Sequence, residues 1–504
     1  MPPNLSDRMI SDHEYRQRIR RYRPSSLLPL IAAAAAAYGS PERPRAWLDP
    51  RLNAYTPWAL ADVARVSLVS GNEYRAEATT DDLAVLLAHY AALDDPFGTS
   101  GDPAHDVLGF LLRTSGEQLT WQESDKATLA RTAALFSQTP PTRPLKCITA
   151  GWDQDVLGCS LSDYVGTAQT LWGAAVSNAG RFDPAQIDAE LAAHLDIPTV
   201  TSILDTHFAT DTDGFRAEEL GQAEQRRQAG IREDPQLRRF EYNPLRGRPA
   251  LTGFGPGYLC PVPGLVWAKA SPTGVYFTGF NHFGSDFTND LGDLFEQYVG
   301  RQLRLISGAT VIPEITYKQD GNTKRSIDWF IVFDKLVLLV EVKSTMPNRP
   351  VRLGSADAIP ELAKKLEKAY SQIDNTAALI ANQHPDFAAI PTDRPVLGMI
   401  VTLEPFHFAN STIQRQHLTA TTTRTVLAGI SELEHLVCVD DIGVADLLLA
   451  RDADQEQSTW SLHGVLQGHS AGPNPVLDAG WDTYPWASAN RGRRTTAANN
   501  TEQA

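Results

Sequence analysis

A chain of 504 residues with 42% hydrophobic and 21% charged residues is long enough for two or three packed cores, and its balance excludes a disordered or fibrous protein. The formal charge of -15 excludes a histone-like or tail-driven binder of polyanions, because the surface as a whole repels phosphate and any contact with nucleic acid has to be local. Cys147, Cys159, Cys260 and Cys438 lie far apart without CxxC or Cys/His spacing, which argues against a zinc ribbon or a disulfide framework and fits a reducing cytoplasm.

Near the start, Arg20, Arg21 and Arg23 precede SLLPLIAAAAAAYGS (26–40), which has the outline of a secretory signal. Asp7, Asp12 and Glu14 are wrong for the leading region of such a signal. The apolar run also falls short of the roughly 20 residues that a membrane span needs. It reads as a buried Ala-rich helix, and no later segment is expected to cross a bilayer.

Periodic apolar positions continue in TPWALADVARVSLVS, TDDLAVLLAHYAAL, HDVLGFLLRTS and LSDYVGTAQTLWGAAVSNAG, so residues 1–238 are expected to form an all-α domain. The charged stretch RAEELGQAEQRRQAGIREDPQLRR (216–239) reads as a solvated helix and connector. Pro, Gly and aromatic residues then dominate 239–285, which predicts a short β-rich bridging region of strands and turns. Residues 286–450 carry mixed helix and strand signals, with TVLAGISELEHLVCV expected as a helix running into a strand. Residues 451–504 form an extension, predicted to be disordered from about 485. The fold class expected from this pattern is α+β and multidomain.

The chemistry is concentrated in SIDWFIVFDKLVLLVEVKS (326–344), two β-branched and aromatic runs separated by Asp334 and Lys335. A hairpin turning there sets Asp328 opposite Glu341, with Cβ atoms roughly 4.5 to 5.5 Å apart, and puts Lys343 on the same face. Phe330, Val332, Val337 and Leu339 share that face, while Ile327, Trp329, Ile331, Leu336, Leu338, Val340 and Val342 fill the other. Both faces are therefore covered. Charges in such a place are costly unless paired or bound to a metal. One reading is a buried salt bridge of Lys343 with the acids. The other is a catalytic site, in which Asp328 and Glu341, with the Val342 carbonyl, bind Mg²⁺ or Mn²⁺, and Lys343 orients a water or neutralises developing charge.

These residues resemble the motif of the PD-(D/E)xK, or restriction-endonuclease-like, nucleases: an acid on one core strand, matched by Asp328, and E-x-K on the next, matched by Glu341, Val342 and Lys343. The family also tends to place a Glu on the preceding helix, matched by Glu296 in LGDLFEQYVGRQLRLI (291–306). The resemblance covers about a quarter of the chain. It implies an α-β-β-β-α-β core: a helix near 288–305, strands near 309–317, 325–333 and 336–343, a helix near 357–383 and a strand near 395–403. Ile327 replaces the name-giving Pro, and KAYSQI (368–373) departs from the Q-x-x-x-Y of one branch; Gln372 and Lys368 read first as a solvated face of the second helix, with reach to the site as the alternative. Glu314 is a further acid or a strand-edge residue.

Three other signals carry less. GHSAG (468–472) matches a nucleophile elbow literally, but Pro473 and Pro475 argue against the immediate helix it needs and no His follows. GFGPGY (253–258) lacks a Walker Lys. Lys364, Lys365 and Lys368 form a basic cluster on the second core helix, either solvated or guiding a phosphate backbone.

The resemblance thus implies a Mg²⁺-dependent nuclease acting on nucleic acid, with DNA the first expectation, in host defence or DNA processing by analogy. Double-strand cutting from one site implies a homodimer, and the helical half implies a protein partner or a recognition role. A catalytically silent nuclease-like scaffold is the alternative, against which the joint retention of Asp328, Glu341 and Lys343 argues.

Overall fold

The structure is a computed structural model that describes residues 9–38, 55–97, 101–118, 125–187, 196–355, 357–417 and 421–487. It is a mixed α/β protein with several sheets. Among the described residues no helix is long and apolar enough to cross a membrane, and all four cysteines are unpaired.

The first half is built on helices α1 (Pro24–Tyr38), α2 (Pro57–Ser70), α3 (Thr80–Ala91), α4 (Pro103–Gln118), α5 (Asp125–Phe136), α6 (Leu161–Ser177) and α7 (Thr212–Gln228). Their starts follow the expected chemistry. Thr56 caps α2 ahead of Pro57, and Thr79 with Asp82 forms a capping box on α3. The Ala-rich run is the buried helix α1, with Leu27, Leu28, Ile31 and Ala32 sealed inside.

This half is not all helix. Strands β1 (Arg181–Phe182) and β2 (Ala209–Thr210) join β3 (Ala250–Leu251) and β4 (Tyr258–Leu259) in a sheet of order β1-β4-β3-β2. Residues 239–285 are not mainly strand and turn either, since α8 (Gly264–Ala270) and α9 (Pro272–Phe283) occupy the later part. Pro272 acts there as a helix opener, with Ser271 accepting a hydrogen bond from the Gly274 amide. Nor is 216–239 simply solvated. Arg238 grips Asp62 through two bonds of 2.8 and 2.9 Å and reaches Asp12 at 2.5 Å, while Glu219 pairs with the buried Arg65.

The second half is ordered around a five-stranded sheet, β11-β10-β9-β8-β5. Helix α10 (Ser285–Leu303) precedes β5 (Thr310–Pro313), and the hairpin β6 (Thr316–Gln319) and β7 (Asn322–Arg325) follows. Then come β8 (Trp329–Val332), β9 (Val337–Lys343), α11 (Ala358–Ala381), β10 (Val396–Thr402), β11 (Thr425–Gly429), α12 (Ile430–Leu436) and α13 (Val444–Ala453). Strands β5, β8 and β9 are antiparallel neighbours, and β9, β10 and β11 are parallel. The predicted strand at 309–317 is interrupted: Pro313 has no amide to donate, and the chain leaves the sheet for a second hairpin. Asp320 and Gly321, both at positive φ, turn that hairpin. The order in 425–436 is strand then helix, the reverse of expectation.

One face of the sheet carries Trp329, Ile331, Leu338, Val340 and Val342 against α10 and α12. The other carries Phe330, Val337 and Leu339 against Leu362, Leu366, Ala369 and Ile373 of α11. Ile327 falls on the α11 side, contrary to the expected alternation, because β8 begins only at Trp329. The core cluster on the α10 face runs from Leu129 to Ala487 and so crosses the expected boundary near residue 238. At its far end α14 (Pro475–Asp482) starts on Pro475 itself, with Asn474 as cap, so a helix does follow GHSAG closely. The Tyr484 hydroxyl donates to the Leu129 carbonyl at 2.8 Å. The remainder of the predicted disordered tail, from residue 488, lies outside the described residues.

Candidate active site

The hairpin closes in the expected register, with Trp329 opposite Val340 and Val332 opposite Val337. Continued by one residue, this ladder sets Asp328, just before β8, across from Glu341. The Asp328 carboxylate accepts a 2.6 Å bond from the amide of Val342. In an extended strand a residue's N–H and C=O point to the same edge, so the Val342 carbonyl also faces the Asp328 side.

Glu341 is 1% exposed, with one carboxylate oxygen bonded to the Lys343 ammonium. Its other oxygen, Oε2, is buried without a hydrogen-bond partner among the described residues. Lys343 is a quarter exposed and also donates to Gln372 of α11 at 3.2 Å. Gln372 therefore reaches the site. Lys365 donates to Thr345 just beyond β9, whereas Lys364 and Lys368 point to solvent, so the predicted basic cluster divides.

Helix α10 supplies Glu296 from the opposite face. A Cβ at Gly300 would collide with the Trp329 ring, so the glycine permits close approach of helix and strand. The Trp329 indole donates to the Glu296 carbonyl at 3.1 Å, which fixes that turn of the helix over the strand. Glu314 follows β5 and pairs with Arg325 at 3.4 Å.

These acids hold protons more tightly than free carboxylates. Burial is the leading cause for Asp328 and Glu341, and Asp328 raises Glu341 further against the opposing pull of Lys343. Burial and then Asp328 push Glu296 up to about 7. Glu314, raised by its own burial, adds to the charge around Asp328 and Glu296. Two or more buried acids disfavouring one another's ionisation is the electrostatic condition that a cation relieves.

The fit to a metal has a limit. Among the described residues no three His, Cys, Asp or Glu side chains come together closely enough to hold an ion between them. Glu296 therefore does not complete a ligand set with Asp328 and Glu341 in this geometry. What the donors suit is a hard cation held by two carboxylates and a main-chain carbonyl that keeps several waters, the habit of Mg²⁺.

A cleft of about 1810 Å³ opens between the helical half and the segment that follows β9. Lys343 and Lys365 line it, as do Arg226, Tyr242, Arg246, Arg248, Lys269 and Phe277; Asp328 and Glu341 do not. Sequence reasoning passed over those last six. For Tyr242, Arg246 and Arg248 the available signal was the closeness of aromatic and basic residues in FEYNPLRGR (240–248).

Comparison with protein-family models, with curated proteins and with solved structures finds no match.

Proposed function

We propose that the chain is a metal-dependent nuclease of the PD-(D/E)xK type, hydrolysing phosphodiester bonds in nucleic acid, with DNA as the first substrate to test. The observation that carries this reading is the unpartnered Oε2 of the buried Glu341, beside Asp328 and within the same network as Lys343. A structural salt bridge would satisfy the acid; here Lys343 takes one oxygen only, and proton affinity stays raised despite it.

Asp328, Glu341 and the Val342 carbonyl would hold Mg²⁺ or Mn²⁺, which when bound polarises the phosphate and acidifies water. The chain's own residues do the rest. The Val342 amide fixes the Asp328 carboxylate, so that it needs no reorganisation. Gln372 and Glu341 together hold the Lys343 ammonium at the cleft wall, where it can orient an attacking water or meet charge developing on the phosphate. Glu296 shapes the field around Asp328. A role in host defence or DNA processing rests on analogy alone.

The test is digestion of linear, supercoiled and single-stranded DNA, and of RNA, with Mg²⁺ or Mn²⁺. Asp328→Ala and Lys343→Ala should each lower cleavage by about a thousandfold or more, since members of one catalytic unit fail together. Cleavage that survives both substitutions would refute the site. Absence of cleavage on every substrate would favour the nuclease-like scaffold.

A further inference from the structure

The cleft differs in sign from the protein around it. Eleven basic and five acidic side chains line it, in a chain whose net charge is -15. Several of the basic ones are spoken for: Arg113 and Arg131 reach Asp95 and Glu434, and Arg349 and Arg352 pair with Glu241 and Glu404. Arg226, Arg246, Arg248, Lys269 and Lys365 form no ion pair among the described residues. Arg246 and Arg352 also oppose each other as like charges. Arg248 donates to the Ala209 carbonyl at 2.7 Å and shares the field of Glu218 with Lys269, whereas Arg226 and Arg246 have no side-chain hydrogen bond among the described residues. Guanidinium groups without a carboxylate partner on a concave wall form a receptor for anions.

Two further observations narrow the anion. The volume exceeds the roughly 300 to 1000 Å³ typical of small-molecule sites, so the cleft has room for a polymer. Tyr242 and Phe277, 45% and 47% exposed, present aromatic rings on the same cleft. Exposed rings interleaved with cations suit unpaired bases, whose faces are free to stack; a duplex keeps its bases stacked on one another and offers such rings nothing.

We propose that this cleft binds single-stranded nucleic acid, with bases stacked on Tyr242 and Phe277 and phosphates met by Arg226, Arg246 and Arg248, and leads the strand to Lys343. The helical half thereby becomes the substrate platform. The inference deepens the nuclease reading and depends on it only for what happens at Lys343.

Fluorescence anisotropy in EDTA tests binding without cleavage, using labelled oligothymidylate and oligouridylate of about 20 nucleotides against a duplex of equal length. Single strands should bind at least tenfold tighter than duplex, and the two arms show whether the DNA or the RNA strand is preferred. Tyr242→Ala and Phe277→Ala should each weaken single-strand binding about tenfold, and Tyr242→Phe should restore it. Arg246→Ala should reduce the slope of log affinity against log salt by about 0.7. Equal or tighter duplex binding, no binding of any strand, or unchanged affinity in the Tyr242→Ala/Phe277→Ala double variant would overturn the proposal. Binding without metal-dependent cleavage thus removes the nuclease reading and leaves the cleft, whereas cleavage that needs Asp328 but ignores both rings removes the cleft alone.

Discussion

Asp62 in the helical half and Glu341 in the sheet are carboxylates of similar burial, 4% and 1% exposed, yet their proton affinities move in opposite directions. Burial works to raise both. At Asp62 that effect is overcome by Arg238, which forks onto both oxygens, with Arg65 and Tyr15 assisting, so the acid is held below the ordinary carboxylate range. At Glu341 a single ammonium reaches a single oxygen, Asp328 adds like charge, and the acid is held above it. Depth of burial therefore does not by itself decide which way a buried acid's proton affinity moves. The completeness of its partners does.

The largest expected effect that sharpens this contrast comes from Arg238→Ala, which strands Asp62 and Asp12 without their guanidinium. It should cost about 3 to 5 kcal/mol, read as a lowered urea midpoint, while cleavage per folded molecule is unchanged. A shift below about 1 kcal/mol would mean that the network is dispensable and the contrast empty.

Glu341→Gln should act with the opposite sign on stability. A carboxyl whose folded proton affinity is raised binds more protons folded than unfolded, so its favourable contribution is complete at low pH and lost as pH rises from the carboxylate range through neutrality. In metal-free buffer at pH 8 the amide should therefore stabilise by about 1 kcal/mol, a gain that fades toward pH 4, with activity abolished. Mg²⁺ should raise the melting temperature of the wild type and not of the variant. Destabilisation at pH 8 would place Glu341 with Asp62.

Smallest is the effect of Glu296→Gln. Wild-type cleavage should climb with pH as the acids shed protons before a cation can bind, and with Glu296 pushed up to about 7 part of that climb falls near neutrality. The variant should lose that part and weaken Mg²⁺ affinity by about tenfold. A pH profile identical to wild type would limit Glu296 to packing.

The hairpin was legible in the sequence because its information is local. A two-residue turn, period-two alternation and three charges set the register of β8 on β9 and the face shared by Glu341 and Lys343. The paired lysine on the second helix and the division of its basic cluster were not legible, since helical spacing alone does not say which of Lys364, Lys365 and Lys368 meets Thr345. The β6–β7 hairpin could have been read from Asp320-Gly321 and was missed, as was the helix-opening role of Ser271-Pro272. Long-range facts stayed hidden for a physical reason. Nothing near Arg238 announces Asp62, and nothing near Tyr242 announces that it lines one cleft with Lys343; both facts depend on how helices and sheet pack.

The route from Lys343 back to the helical half passes through an unusual seam. A Cβ on Gly354 would collide with the Gly109 carbonyl of α4, and one on Gly109 would come within 2.7 Å of the Gly354 carbonyl. The Arg113 guanidinium donates to that same Gly354 carbonyl at 3.1 Å. Where two side chains meet, drift in one can be answered by drift in the other. Where main chain lies on main chain there is no such correspondence, and neither glycine has a compensating partner. The seam therefore restricts how this protein can diverge: the loop after β9 is free to change its chemistry toward the cleft, but its anchorage to α4 has to be inherited whole.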